Sequence, residues 1–186
     1  FTPSIGGLAT GMMSVSQSFN SLWIGWSGVD QNQLTSKQRE KINRELKNNA
    51  CADVNLTPEE EELYYEGFSN KTIWPLFHYF SQFVEYNEEQ WKAYKRVNRK
   101  FAEVISENME GVDKIWIHDY HLLLLPQLIK ERFPKVTIGF FLHIPFPSYE
   151  LFRILPWRKE IINGMLGADL LGFHTFDYER HFMSSV

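Results

Sequence analysis

The alternation of apolar and polar positions between residues 115 and 147 predicts a strand, a helix and a second strand. The apolar run at residues 115–117 stops abruptly at His118-Asp119-Tyr120-His121. A segment with apolar residues at helical spacing follows, and a second apolar run at residues 136–142 ends in His143. This order favours parallel strands joined by a right-handed crossover.

Capping residues predict two helices before this unit. The first begins at Thr57-Pro58 and is expected to end at Gly67. Asn87 is expected to cap the second helix, which ends near Gly111. Its apolar residues recur at helical spacing and predict a core-facing stripe: Trp91, Tyr94, Val97, Phe101 and Val104.

The remaining segments complete an α/β pattern. Residues 22–26 predict a short strand, whereas the polar stretch 30–55 predicts an exposed excursion with a helix near 36–46. After the central unit, residues 149–167 read as helical with a break at Pro156, and residues 169–173 as a third strand. We therefore expect a Rossmann-like, doubly wound and mostly parallel sheet, with a further helix near Glu179.

Three predicted strands end in residues that can carry chemistry: Asp119, His143 and His174. The carboxyl ends of neighbouring parallel strands, about 4.8 Å apart, share a rim where α/β proteins bind ligands. Asp119 and His143 are therefore candidate site residues. Two plainer interpretations stay open, namely that Asp119 caps the following helix and that His143 is a hydrogen-bonded core histidine.

The composition argues against several classes of function. The formal net charge is −4 with no basic run, which argues against a nucleic-acid partner. No apolar run approaches the length of a membrane helix. The single cysteine and six histidines without zinc-like spacing suggest a reducing, cytoplasmic location and disfavour a metal site.

The arrangement of chemical groups points to a sugar ligand. No GxSxG elbow is present, and only Asp119 is placed like one of the two acids that glycoside hydrolysis needs. A carboxylate, histidines and aromatic rings around a crevice suit a polyhydroxylated molecule. Gly6-Gly7 before a helical pattern could bind a phosphate, although a tight turn is an equal alternative.

Six stretches, taken in order, resemble the retaining glucosyltransferases that make trehalose 6-phosphate. They are SIGGLATG, LWIGWSG, FSNKTIWPLFHY, WIHDYHLLLLPQLI, IGFFLHIPFPSYELFRILPWR and GADLLGFHTFDYERHF. The resemblance implies a GT-B fold of two facing Rossmann-like domains. It also implies UDP-glucose as donor, glucose 6-phosphate as acceptor, and no metal or other cofactor. The sequence leaves a homo-oligomer open.

The resemblance also implies roles for individual residues. Gly7 would lie against the donor phosphates, and Tyr65 and Trp74 would contact the acceptor, with Trp26 bordering it. Asp119 would bind sugar hydroxyls on the acceptor side and His143 the donor glucose. These last two are the candidate catalytic residues.

Residues 1–186 are expected to form part of the acceptor-side, N-terminal domain. The family's first strand, with an arginine before the Gly-Gly loop, and its second domain have no counterpart here, so this stretch alone is expected to be inactive. Two alternatives stay open: a related synthase with another acceptor such as glycerol 3-phosphate, and a non-catalytic homologue that senses sugar phosphates.

Overall fold

The structure, a computed structural model, describes residues 21–186. The chain divides into two compact units, residues 1–57 and residues 58–186. Gly6-Gly7 and the helix predicted after it lie outside the described residues. The role expected of Gly7 therefore stays a prediction.

In the first unit, strand β1 (Trp23–Gly25) pairs in parallel with strand β2 (Cys51–Asp53), and helix α1 (Ser36–Asn48) lies between them in sequence. Helix α1 is predicted correctly, and Thr35 caps it through a hydrogen bond from the backbone of Gln38. The description of residues 30–55 as a mere excursion is wrong, because it misses β2. This strand has no apolar run of its own, and its pairing with β1 defines it.

The second unit begins with one continuous helical run and continues through alternating helices and strands. The run contains α2 (Pro58–Glu60), a π-helix (Glu61–Ile73) and α3 (Trp74–Phe77). The later elements are α4 (Glu88–Glu107), β3 (Lys114–His118), α5 (Leu125–Arg132), β4 (Thr137–Phe141), α6 (Tyr149–Phe152), α7 (Arg158–Met165), β5 (Leu170–Gly172) and α8 (Phe176–Met183).

The prediction that Gly67 ends the first helix of this unit is wrong. Gly67 lies in the middle of the π-helix and is buried. A Cβ atom at this position would come within 2.9 Å of Gln90 Cγ on α4. The glycine therefore permits a close approach of two helices instead of terminating one.

Strands β3, β4 and β5 form a sheet in that order. Their parallel pairing agrees with the prediction from the sequence. In the register, His118 lies opposite Phe141, and Phe141 lies opposite Gly172. The central strand β4 buries Ile138 and Phe140. All three strands thus end at one edge of the sheet.

Helix α4 covers the π-helix with the predicted stripe. Trp91, Tyr94, Val97 and Phe101 are buried, whereas Val104 is only half-buried and Ile105 takes the core position beside it. Asn87 caps α4 as predicted, but the helix ends at Glu107, before the left-handed Gly111. Within residues 21–186, no helix is long and apolar enough to span a membrane.

Candidate functional site

Asp119 and His143 meet where β3 and β4 end. The backbone N–H of Asp119 donates to the carbonyl of Phe141 at 2.8 Å, which extends the sheet ladder by one residue. The Asp119 side chain then accepts a hydrogen bond at Oδ1 from the backbone N–H of His143 at 3.3 Å. The shared rim predicted from the sequence is therefore present.

The same carboxylate also caps the turn that follows, as the plainer interpretation proposed. Oδ1 accepts from the backbone N–H of Tyr120 at 2.9 Å, at the start of a single 3₁₀ turn, Tyr120–Leu122. No hydrogen bond from the described residues reaches the second oxygen, Oδ2. Capping thus occupies one oxygen of Asp119, and the other stays available to a ligand.

Asp119 has a strained backbone. Its φ of 75° and ψ of 168° fall in a region that is nearly exclusive to glycine. A non-glycine residue there costs about 1–3 kcal/mol, and such residues cluster at binding and catalytic sites. Surrounding contacts must therefore hold Asp119 in this conformation.

A buried polar network holds the loop that follows Asp119. The Tyr94 hydroxyl donates to the carbonyl of Tyr120 at 2.7 Å and accepts from the backbone N–H of Leu123 at 3.0 Å. The carbonyl of His121 accepts from Tyr64 Oη at 3.2 Å and from Asn98 Nδ2 at 3.1 Å. Three side chains of the π-helix and α4 thus hold the backbone of the loop by hydrogen bonds.

Three histidines line the strand ends. His118 Nδ1 lies 3.1 Å from His143 Nε2, and the His174 ring lies edge-on to the His143 ring at 5.7 Å. Burial, and then the neighbouring His143, lower the pKa of His118 to about 4. Burial also lowers the pKa of His143, although Asp119 opposes the shift. Both rings of the pair are therefore neutral at physiological pH.

The winding of the π-helix favours one shared side for Tyr65, Asn70 and Trp74, the last of which begins α3. In an α-helix, the nine residue steps from Tyr65 to Trp74 would make about two and a half turns, so the two side chains would face opposite ways. The i→i+5 winding of a π-helix takes more residues per turn, so the same nine steps make about two turns. Tyr65 and Trp74 are exposed, and Asn70 is half-buried.

This face joins the Asp119 loop. The Tyr65 ring stacks on His121, with centroids 5.2 Å apart and planes 10° apart. The Tyr120 hydroxyl donates to Asn70 Oδ1 at 3.0 Å. A cavity of about 360 Å³ lies beside Asn70 and is lined by Asn70, Lys71, Trp74, Pro75, Phe80 and Phe83.

Of the residues singled out from the sequence, the structure joins Asp119 to His143 by a hydrogen bond. It places Tyr65 against His121 of the following loop and Trp74 in the cavity beside Asn70. Sequence reasoning missed Asn70, Tyr94 and the pairing of His118 with His143. Asn70 gives no signal in a single sequence, and Tyr94 was interpreted as core only. Trp26 lies in the first unit, so its predicted place beside the acceptor stays a prediction.

Among residues 21–186, no group of three or more His, Cys, Asp or Glu side chains is arranged to hold a metal ion. Burial, and then Asp119, raise the pKa of the Tyr120 hydroxyl, which keeps it protonated as the donor to Asn70. The described residues therefore offer a carboxylate, neutral imidazoles and aromatic faces.

Comparisons with known proteins agree on one group. A sequence model described as glycosyltransferase family 20 matches residues 1–186. An alpha,alpha-trehalose-phosphate synthase (UDP-forming) from Pichia angusta is 46% identical over 193 residues, covering 100% of this chain and 40% of that protein. The chain spans about two fifths of the length of that relative.

Solved structures share the fold. An Escherichia coli structure bound with UDP-2-fluoro glucose superposes with a TM-score of 0.84 at 35% identity, covering 100% of this chain and 40% of that one. An alpha,alpha-trehalose-phosphate synthase (UDP-forming) from Burkholderia xenovorans in complex with glucose-6-phosphate has a TM-score of 0.78 at 32% identity. The match covers 98% of this chain and 40% of that one. The α/β fold with parallel strands expected from the sequence is confirmed.

Proposed function

The chain belongs to glycosyltransferase family 20, and from this we propose that its protein makes trehalose 6-phosphate. Glucose is transferred from UDP-glucose to glucose 6-phosphate, and the anomeric configuration of the donor is retained. Residues 58–186 supply the part of the site that binds the acceptor and one face of the donor sugar. The single cysteine favours the reducing cytoplasm as the place of this reaction.

One observation carries this proposal: Asp119 is held in a strained conformation beside His143, and three side chains hold the following loop by hydrogen bonds. Strain of this kind persists only where the surroundings impose it. A cap alone would not require it, because an aspartate with ordinary backbone angles caps a helix equally well. The arrangement is consistent with a carboxylate aimed at a ligand.

In this proposal the acceptor binds between Asp119 and the aromatic rings of Tyr65 and Trp74. Oδ2 of Asp119 accepts a hydrogen bond from a hydroxyl of glucose 6-phosphate, while Oδ1 stays tied to the two backbone N–H groups. Tyr65 and Trp74 border the sugar, since exposed aromatic rings cover the apolar faces of pyranoses. Orientation of this kind lowers the barrier by making the attack effectively unimolecular.

The described residues contribute position and polarity, and none is assigned as a covalent nucleophile. Oδ1 of Asp119 is occupied by backbone donors, and its carboxylate serves the acceptor in this proposal. The charge that develops on the donor sugar is then stabilised by the leaving diphosphate and by preorganised dipoles. His143 lies at the adjacent strand end, where it contacts the donor glucose.

The test compares acceptors in the full-length protein. UDP release is measured with UDP-glucose and either glucose 6-phosphate or glycerol 3-phosphate, and the product is identified by mass and by its anomeric configuration. The proposal predicts turnover with glucose 6-phosphate and a retained linkage. Turnover with glycerol 3-phosphate alone would identify a different synthase, and binding of sugar phosphate without turnover would identify a non-catalytic homologue.

A further inference from the structure

The contact between His118 and His143 has a consequence for the chemistry of His143. His118 Nδ1 and His143 Nε2 are 3.1 Å apart, and the ring centroids are 5.3 Å apart. The His118 ring also packs against Trp116, with ring centroids 4.9 Å apart. The His118 ring therefore contacts both a tryptophan and His143.

Only one proton lies between the two rings. Burial lowers the pKa of both histidines, so each ring is neutral and carries a single N–H at physiological pH. If His118 Nδ1 holds the proton, it donates to His143 Nε2, and His143 must then carry its own proton on Nδ1. If His143 Nε2 holds the proton instead, it donates to His118 Nδ1, and His118 must then carry its own proton on Nε2.

The surroundings of His118 decide between these two forms. His118 Nε2 is buried and has no hydrogen-bond partner among residues 21–186. An N–H group buried without an acceptor is rare in proteins, because its full desolvation cost is not recovered. A bare nitrogen at Nε2 avoids an orphaned donor, which assigns the His118 proton to Nδ1.

Other charged or titratable groups near His143 leave this assignment intact. Asp119 Oδ1 accepts from the backbone N–H of His143, and no hydrogen bond joins it to the imidazole. His174 contacts the His143 ring edge-on without a hydrogen bond. Within the described residues, the His118 ring alone hydrogen-bonds the His143 imidazole.

We propose that His118 is a positioning residue that fixes His143 as the Nδ1–H tautomer. His143 then acts as a hydrogen-bond donor through Nδ1, and the chemical class that it recognises is an oxygen acceptor on the glucosyl donor. This inference rests on the proposed function for the identity of the ligand. The tautomer itself is a property of the free protein.

The first experiment measures the tautomer directly. Selective ¹⁵N-histidine NMR of the full-length protein, assigned with His143→Ala, should show His143 protonated on Nδ1 at neutral pH. His118→Phe keeps a ring against Trp116 but removes the donor, so His143 should return toward the Nε2–H form that free histidine favours. His174→Phe is the matched control, because it changes a ring contact without changing a hydrogen bond, and it should leave the tautomer as it is.

The second experiment measures the consequence for the reaction. Loss of one neutral hydrogen bond corresponds to about a tenfold change, so His118→Phe should lower kcat/KM for UDP-glucose about tenfold and leave the acceptor KM unchanged. His118→Asn, which places an amide N–H near the former Nδ1, should restore most of the activity. A stability change alone would move neither the tautomer nor this ratio.

These results distinguish the positioning role of His118 from the donor-binding role given to His143. A wild-type His143 protonated on Nε2, or a His143 tautomer unaffected by His118→Phe, overturns the positioning role. So does a tautomer that shifts while the donor kinetics stay constant. Unchanged turnover in His143→Ala instead overturns the place given to His143 in the proposed function, whatever the NMR shows.

Discussion

Oδ1 of Asp119 accepts hydrogen bonds from the backbone N–H of His143 at 3.3 Å and of Tyr120 at 2.9 Å. One carboxylate oxygen therefore joins the end of β3 to the end of β4 and starts the turn that follows. In the proposed function, the structural and chemical roles of Asp119 fall on different oxygens, so substitutions can separate them.

Asp119→Asn should abolish most activity without unfolding the protein. The amide keeps an acceptor oxygen for the two backbone donors and keeps the shape of the side chain, but it loses the charge aimed at the acceptor hydroxyl. We expect kcat to fall on the order of 10²-fold, as misplaced reactants do, with an unchanged thermal midpoint. Asp113→Asn, at the exposed other end of β3, is the control and should keep near-normal turnover.

A second prediction tests the backbone strain. Asp119→Gly and Asp119→Ala both remove the carboxylate, but only glycine adopts a φ of 75° without cost. The glycine variant should be more stable than the alanine variant by about 1–2 kcal/mol in urea unfolding. At Asp113, where φ is not positive, the same pair of substitutions should not favour glycine. Equal stability of the two Asp119 variants would show that the strain is absent.

The strand ends were predictable because periodicity and apolar runs report burial directly. Residues 115–117 and 136–142 could be placed in one sheet on that basis, and Asp119 and His143 followed because each stands where one of these runs stops. The strained angles of Asp119 could not be predicted, because aspartate has no preference for that region. The π-helix was also missed, since its glycine resembles a stop signal until the packing against Gln90 is known.

Tyr94→Phe should loosen the loop after Asp119. The substitution removes the hydroxyl that bonds the carbonyl of Tyr120 and the N–H of Leu123, and it leaves both buried groups unpaired. Such a loss costs about 1–3 kcal/mol. Urea unfolding measures the stability, and kcat should fall as Asp119 loses its support. Tyr149→Phe, which removes an exposed hydroxyl, should change neither.

Stability should fall in mild acid because of His121. Burial lowers its pKa to about 4, whereas a histidine in the unfolded chain titrates near 6.5. Between these values the unfolded chain binds more protons, so the contribution of His121 is complete above pH 6.5 and is lost as the pH falls toward 4. The loss is roughly 1–3 kcal/mol.

His121→Phe removes this titration and keeps a ring stacked on Tyr65. Its free energy of unfolding, measured in urea at several pH values, should depend less on pH between 6.5 and 4 than that of the wild type. His118 still titrates in the variant, so the dependence should weaken without vanishing. Parallel curves for the two proteins would contradict the role of His121.

Trp74→Ala should weaken binding of the acceptor more than binding of the donor. Trp74 is 40% exposed and lines the cavity beside Asn70, so its ring contributes little to the core and is free to cover a sugar. An aromatic contact is worth about 0.5–1.5 kcal/mol beyond its area, which corresponds to a rise of several-fold in the KM for glucose 6-phosphate. The KM for UDP-glucose should stay constant.

The control for this prediction is Phe176→Ala, which truncates a highly exposed aromatic ring that does not line the cavity. It should leave both KM values unchanged. The winding of the π-helix leads to a further expectation, because it favours one shared side for Tyr65 and Trp74. Tyr65→Ala should also raise the acceptor KM and spare the donor KM. If Trp74→Ala lowers only the thermal midpoint and keeps wild-type kinetics, Trp74 is a packing residue and the acceptor does not lie on this face.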